Sequence, residues 1–212
     1  MSRDIRRRGG AAESEETRRT ILRVAQELFM EYGYRAISTR QIADACGLTQ
    51  PALYHHFADK QQLYAAMARE ELSKTGAALE RIVTRGESLD ERLQQAARYL
   101  LSNTRHDHGQ MLHDIRHELD AETRITLSQA FQAEFVQPLT SLFSAGQRDE
   151  LLRSPERGGV EPVIATYLFL SMISQFAQNR QGETHTVLER QAISAPDAAT
   201  IIVKTLLYGL AR

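Results

Sequence analysis

The segment from Ser38 to Lys60, STRQIADACGLTQPALYHHFADK, constrains the fold more than any other part of this chain. Ser38 or Thr39 is suited to cap a helix, because a hydroxyl there accepts an N–H of the first turn. Gly47 follows where a left-handed residue is needed to end that helix and turn the chain sharply. The pattern therefore predicts a short helix followed by a tight turn.

A second short helix is predicted from Gln50 to about Phe57. Thr49 supplies its N-cap, and Pro51 lies in the first turn, where a missing N–H costs nothing. Leu53 and Phe57 are four residues apart and are expected to point inward. The side chains left largely outward are Gln50, Ala52, Tyr54, His55 and His56.

Two helices in this arrangement have the proportions of a helix-turn-helix. A short helix held at an angle to its partner fits the DNA major groove, where base edges present distinct donors and acceptors. Gln50 is suited to a base or a phosphate, Tyr54 and His55 to phosphate oxygens, and Lys60 adds a cation. The alternative is an ordinary helical hairpin, but that interpretation does not explain why so short a helix has several exposed polar side chains.

The residues around this segment resemble the DNA-binding domain of the tetracycline-repressor (TetR) family of bacterial transcription regulators. The similarity runs from about Thr17 to Leu63 and rests on FMEYGY, TRQIADACGL, LYHHF and KQQL. One departure is Pro51, at a position early in the second helix where the family often has a small residue. The resemblance implies an all-α homodimer that binds a palindromic operator on double-stranded DNA and responds to a small molecule.

The residues predicted to contact DNA lie at the start of the first helix, along the second and at the start of the third. They are Thr39, Arg40, Thr49, Gln50, Pro51, Ala52, Tyr54, His55 and Lys60. Residues 1–60 carry ten Lys or Arg and eight Asp or Glu, whereas the remainder carries sixteen and nineteen. A slightly basic head on an acidic body is expected if only the head meets phosphate.

The composition is that of a globular chain, with 212 residues, 42% hydrophobic and 25% charged. No apolar run approaches the roughly 20 residues of a membrane span, and no apolar segment follows the basic start as in a secretory signal. The one cysteine, Cys46, excludes a disulfide within the chain and is expected to behave as a small buried hydrophobe. We therefore expect a cytoplasmic protein.

The remaining segments are predicted to be helical, which gives an all-α chain of two domains. Residues 1–14 are charged, and we expect a disordered arm there, either solvated or reaching DNA. Residues 15–62 form the helix-turn-helix domain, whose first helix is predicted to end at Gly33. The helix that begins at Lys60 runs on to about residue 84 as a bridge. Residues 85–212 form a helical effector-binding and dimerisation domain, in which one helix is expected to bend at Pro138.

Two late segments, at about 162–178 and 196–211, are apolar over more than one helix face. Such helices are buried on several sides, either in the core of one chain or against a second copy. We expect a homodimer in which they form a four-helix bundle, and the family resemblance implies the same. A palindromic operator also requires two reading helices about 34 Å apart.

The segment RHDHGQMLHDIRHEL holds His106, His108, His113 and His117. His113 and His117 are four residues apart and share one helix face, a common way to hold a metal. Three interpretations stay open: a metal site in a metal-binding or enzymatic protein, a polar helix near a pocket mouth, or hydrogen bonds from His113 or His117 to an organic effector. The predicted assignment is no metal and no cofactor.

An effector pocket is predicted among the helices of the C-terminal domain. Its candidate lining residues are Met111, His113, His117, Phe131, Phe135, Tyr167, Met172 and Phe176. The sequence has no Gly-rich phosphate loop, nucleophile elbow or paired-Cys motif, so we predict a regulator and not an enzyme. The predicted function is a repressor that releases its operator when a small molecule binds.

Overall fold

The computed structural model describes residues 2–103, 108–180 and 193–209, and the side chains of 12–103, 113–177 and 193–209. Within these ranges every regular element is a helix, which confirms the predicted all-α class. Among the same residues, no helix has the length and apolar character needed to cross a membrane.

The described residues form ten α-helices, numbered here in chain order. They are α1 (Ser2–Ala36), α2 (Thr39–Ala45), α3 (Gln50–Tyr54), α4 (Lys60–Val83), α5 (Leu89–Asn103), α6 (His108–Glu118), α7 (Ala121–Phe131), α8 (Gln137–Arg148), α9 (Pro162–Arg180) and α10 (Ala195–Tyr208). A π-helical segment, Gln132–Val136, joins α7 to α8, and a 3₁₀ turn spans Pro155–Arg157.

The helices pack into two compact units. The head unit comprises the chain up to Glu71 together with Gln110–Leu127, and the body unit comprises Leu72–Gly109 together with the chain from Ser128 onward. Helices α4, α6 and α7 each run from one unit into the other. The predicted boundary near residue 85 assigned residues 110–127 to the C-terminal domain, whereas the packing groups them with the head.

The first helix starts earlier than the sequence indicated. Residues 2–14, for which we expected disorder, continue α1 as helix. Arg, Ala and Glu are good helix formers, and extending an existing helix avoids the cost of nucleating a new one. Near the other end, Gly33 adopts φ 80° and ψ 162°, which interrupts the helical geometry where the sequence predicted the helix to end.

Three aromatic rings form the centre of the head unit. Phe29 and Tyr64 meet edge to face at 5.1 Å between centroids, and Tyr34 meets Tyr64 at 5.1 Å. Phe29 and Tyr64 are almost fully buried, together with Ile21 of α1 and Met67 of α4. This cluster joins α1 to the first half of α4 and leaves α2 and α3 to pack on the scaffold.

Helix α6 docks in the head unit through a buried carboxylate. Asp114 is 3% exposed, and its Oδ2 accepts hydrogen bonds from the Tyr34 backbone N–H at 3.1 Å and the Tyr64 hydroxyl at 3.2 Å. Burial raises the pKa of the Tyr64 phenol, and the negative charge of Asp114 raises it further, so this hydroxyl remains a donor. A buried charge is tolerated here because it is hydrogen-bonded.

Further polar contacts hold the chain after α6 within the head unit. The Arg35 guanidinium pairs with the Glu118 carboxylate at 2.7 Å. The Asp120 backbone N–H donates to Gln61 Oε1 at 2.9 Å, and the Gln61 amide donates to the Asp120 carboxylate. Asp120 also caps α7, as its Oδ1 accepts the Thr123 N–H at 2.7 Å.

In the body unit, α10 packs against α5 and α9, and α9 also packs against α8. The core is made of fully buried apolar side chains, among them Leu93, Leu139, Phe169 and Ile202. The sequence predicted a bend at Pro138, and the structure has a π-helical segment directly before it. That segment lies against α4, where a Cβ on Gly76 would be 2.7 Å from Glu134 Cβ.

Replacing Asp114 with Ala should destabilise the head unit. It leaves a buried N–H and a buried hydroxyl without an acceptor, and each such donor costs about 1–3 kcal/mol. We expect the free energy of unfolding in urea to fall by about 2–4 kcal/mol. The control Glu27→Ala removes an exposed ion pair with Arg23 and should change little, whereas equal losses in both variants would contradict the proposed role of Asp114.

Replacing Gly76 with Ala should destabilise the body unit, although Ala is the better helix former. The added Cβ would lie 3.0 Å from the Glu134 carbonyl oxygen, so the π-helical segment must shift. Overpacking of this kind costs about 1–3 kcal/mol, measurable as a lower urea midpoint. Gly86→Ala is the matched control because a Cβ there meets nothing within 4 Å. A Gly76→Ala protein as stable as the wild type would contradict this account.

Candidate nucleic-acid interface

The turn between α2 and α3 is built as the sequence predicted. Ser38 caps α2 in a reciprocal capping box with Gln41. Gly47 has φ 67°, and the Leu48 N–H returns to the Ala43 carbonyl at 2.9 Å, which ends α2 in a left-handed turn. These local hydrogen bonds fix where α3 begins.

Helix α3 is short and exposes one side. Thr49 accepts the Ala52 N–H on its hydroxyl at 3.3 Å, and Pro51 occupies the first turn. Leu53 is fully buried and Phe57 is 4% exposed, which confirms the predicted inward pair. The predicted contact residues Arg40, Thr49, Pro51, Tyr54 and His55 are exposed, while Gln50 and Ala52 are partly exposed. Helical geometry ends at Tyr54, earlier than the predicted limit near Phe57.

A polar network joins α2 to the exposed side of α3. The Thr39 hydroxyl lies 3.1 Å from the Tyr54 hydroxyl, and the Gln50 amide donates to Thr39 Oγ1 at 3.1 Å. The same amide nitrogen is 3.4 Å from the Tyr54 oxygen. Thr39 itself is 7% exposed, so its hydroxyl supports the two neighbouring side chains from beneath. The network limits the rotamers of Gln50 and Tyr54, which are predicted to contact DNA.

Arg18 fixes the other end of this region. Its Nη1 donates to the His56 carbonyl at 3.1 Å, and its guanidinium carbon lies 4.2 Å above the centroid of the Phe57 ring. The contact satisfies a carbonyl just past the end of α3 and adds a cation–π interaction. Sequence reasoning missed Arg18, because one exposed-looking arginine on α1 has no pattern that marks it as a partner of α3.

Two cations flank α3 on neighbouring helices. The Arg40 side chain is 80% exposed and 4.0 Å from the Asp44 carboxylate, a surface pair that leaves it available to another anion. The Lys60 ammonium lies 4.1 Å from the centroid of the Tyr34 ring. Burial lowers the pKa of Lys60, and the carboxylates of Glu118 and Asp114 oppose that effect. Lys60 is therefore more sheltered than the sequence indicated.

Cys46 lies at the end of α2 and is partly buried. Burial raises the pKa of its thiol, and the nearby Arg23 opposes the change. A raised pKa reduces the thiolate fraction at neutral pH and with it the reactivity of the sulfur. This agrees with the prediction that Cys46 acts as a small hydrophobe.

The predicted effector residues fall in different parts of the fold. His113 and His117 lie in the head unit and are exposed, whereas the aromatic and Met172 candidates lie in the body unit. Phe131 and Phe135 stack at 5.1 Å between centroids, and Tyr167 is 43% exposed. Met111 lies on α6, but its side chain is outside the described residues. The shared pocket stays a prediction.

The histidine cluster is described only in part. The rings of His113 and His117 are 4.5 Å apart between centroids, as expected for positions four apart on one helix. His106 and the side chain of His108 lie outside the described residues. Within the described part of the chain, no three His, Cys, Asp or Glu side chains are grouped so as to hold a metal ion.

Comparison with known proteins bears on the same segment. The family model described as "Bacterial regulatory proteins, tetR family" matches residues 21–67, which contain α2 and α3. The HTH-type transcriptional repressor Rv1474c of Mycobacterium tuberculosis is 41% identical over 64 residues, which are 30% of this chain and 34% of that protein. The chain thus spans about a third of the length of that relative.

Two further similarities extend beyond the head unit. A crystal structure of AibR in complex with isovaleryl coenzyme A and operator DNA has a TM-score of 0.68 at 25% identity, covering 90% of this chain and 98% of that chain. The HTH-type transcriptional repressor KstR2 of Rhodococcus jostii is 32% identical over 142 residues, which are 65% of this chain and 69% of KstR2. The chain therefore belongs to the TetR family of bacterial transcriptional regulators.

Proposed function

We propose that this protein is a homodimeric repressor that binds a palindromic DNA operator through α3 and releases it when a small molecule binds the body unit. The observation that carries the proposal is the exposed polar side of α3, held by the Thr39–Gln50–Tyr54 network while Leu53 anchors the opposite side. A fixed, polar, short helix is what major-groove recognition requires.

Different parts of the chain carry out DNA binding and effector binding. Residues 15–62 supply the DNA-binding surface, and the helices after residue 84 supply effector binding and dimerisation. An effector acts by binding one conformation of the protein more tightly than another, and the shift in operator affinity equals that difference. Helices α4, α6 and α7 are continuous from body to head, so a change in the body has three covalent routes to the head unit.

We propose a regulatory and not a catalytic role, a proposal supported by relatives that are transcriptional regulators. Because bacterial operators lie in the cytoplasm, the proposed operator binding also supports a cytoplasmic location. Isovaleryl coenzyme A is the first effector to test, because AibR was crystallised with it and with operator DNA. The predicted aromatic residues of the body unit are the candidate lining of the effector site.

The homodimer rests on an exposed apolar surface of α9 and α10. Val163, Ile164, Tyr167 and Leu168 are between 42% and 48% exposed, and their spacing places them along one side of α9. On α10, Ile201 is 42% exposed. A continuous apolar surface of this kind marks a protein interface, and two copies of α9 and α10 complete a four-helix bundle.

The central test is a gel shift against the DNA immediately upstream of the gene that encodes this chain, at several salt concentrations. We expect a retarded band that resists non-specific competitor and weakens as salt rises, because phosphate contacts release counterions. Added effector should release the DNA. Failure to select any preferred sequence from random DNA would contradict the proposal.

Replacing Gln50 with Ala should weaken operator binding by about 1–3 kcal/mol per half-site and relax the preference at one base pair. The salt dependence should change little, because Gln50 carries no charge. Arg40→Ala should instead weaken binding to all sequences and reduce the salt slope by about one per half-site. Gln95→Ala, on α5 in the body unit, is the control. Unchanged operator affinity in Gln50→Ala would contradict its assignment as a contact residue.

Replacing Ile164 with Asp should convert the dimer to monomer, because it places an unpaired charge in the apolar interface. Sedimentation velocity at micromolar concentration measures the change directly. Ile125→Asp is the matched control, since Ile125 is 59% exposed on α7 in the head unit. A wild-type protein that is monomeric at these concentrations would rule out the dimer, and with it the palindromic mode of binding.

A further inference from the structure

The loop between α8 and α9 presents apolar side chains that the fold of one chain does not use. Leu151 is 64% exposed and Val160 is 44% exposed. Tyr208, at the end of α10 in the same unit, is 69% exposed. Single exposed apolar residues are ordinary, but a group of them bordering one groove indicates a binding surface.

This loop is held in one conformation. The Gln147 amide donates to the Arg153 carbonyl at 3.0 Å and to the Val160 carbonyl at 2.9 Å, which ties the two ends of the loop together. The Leu151 and Leu152 N–H groups both reach the Gly146 carbonyl, at 2.9 and 3.0 Å. Ordered backbone of this kind displays Leu151 on a fixed support.

The backbone next to Leu151 is also strained. Glu150 has φ 58°, a left-handed conformation that is uncommon for a residue with a side chain. The turn that contains Glu150 folds Leu152 back against Gly146 of α8. A Cβ added to Gly146 would lie 2.9 Å from Leu152 Cδ1. The turn thus buries much of Leu152 and leaves Leu151 facing out. Strained backbone is often found at functional sites, and here it holds the exposed side chain of Leu151 in place.

A groove of about 370 Å³ lies beside the loop. Its apolar lining comes from four parts of the body unit: Phe143 of α8, Leu151 and Val160 of the loop, Ala165 of α9, and Leu206 and Tyr208 of α10. Arg153 is the one charged residue in that lining. The rest of the lining includes Gln147 and two glycines, so the groove combines apolar and polar atoms, as protein interfaces do.

We propose that this loop and groove extend the dimer interface, so that a second copy of the chain covers Leu151 and fills the groove. The inference rests on the homodimer proposed above. The groove adjoins the α9–α10 surface, because Tyr208 in its lining follows the exposed Ile201 by seven residues and lies on the same side of α10. In a twofold interface each copy offers the same surface, so a contact between the exposed Leu151 of one copy and the groove of the other is made twice.

The first test measures the dimer dissociation constant by sedimentation equilibrium. Leu151→Ser should raise it at least about tenfold, since burial of a leucine side chain is lost in both copies. Ile125→Ser, at a comparably exposed site in the head unit, should leave it unchanged. Far-ultraviolet circular dichroism should show both variants to be folded, because each changes an exposed side chain.

A second test does not depend on weakening the dimer. In a Cys46→Ala background, the thiol of a Leu151→Cys variant should react with maleimide more slowly as the protein concentration rises through the dimer dissociation constant. The thiol of an Ile125→Cys variant should react at one rate throughout. A monomeric wild-type protein would remove the proposed dimer and this inference together. A dimeric wild type with an unchanged constant in Leu151→Ser and a concentration-independent reaction rate would overturn this inference alone.

Discussion

The burial of Leu53 and Phe57 is the constraint on which the DNA-binding surface depends. A helix of five residues has no stability of its own in water, because nucleation is costly and few hydrogen bonds follow. Helix α3 exists because Leu53 is fully buried, Phe57 is nearly so, and Arg18 holds the carbonyl at its end. The long helices α1 and α4 support α3, since they supply the aromatic core on which the short helices pack.

The exposed side of α3 is also ordered by a small number of contacts. Thr39 is buried with its hydroxyl directed at Gln50 and Tyr54, so the side chains that face solvent are partly ordered before DNA arrives. Side chains ordered in advance lose less conformational entropy on binding. A residue first assigned as a direct contact thus has a structural reason to act through its neighbours.

Local features of this fold could be predicted from sequence, because local hydrogen bonds encode them. The caps Ser38 and Thr49, the left-handed Gly47 and the break at Gly33 all lie where residue type indicated them. Each of these features depends on contacts within a few residues, so the local sequence alone is enough to predict it. The inward pair on α3 was equally predictable, from spacing alone.

The features that were missed depend on residues far apart in the chain. The docking of α6 in the head depends on Asp114 meeting Tyr34 and Tyr64, which are 80 and 50 residues away. No local pattern separates this aspartate from an exposed one. The π-helical segment likewise depends on the close approach of Gly76 and Glu134. Residues 2–14 were expected to be disordered because they are highly charged, whereas an adjoining helix was available to extend.

The buried position of Asp114 also limits how the head can respond to the body. The Asp114 carboxylate accepts hydrogen bonds from the Tyr34 N–H and the Tyr64 hydroxyl. If α6 moved, this charge would become exposed or would stay buried without its hydrogen bonds. Such a contact is made or broken as a unit and does not yield gradually. We therefore expect a change that reaches α6 through the chain either to keep the Asp114 contacts or to break them together, which would give α1 and α4 two discrete arrangements.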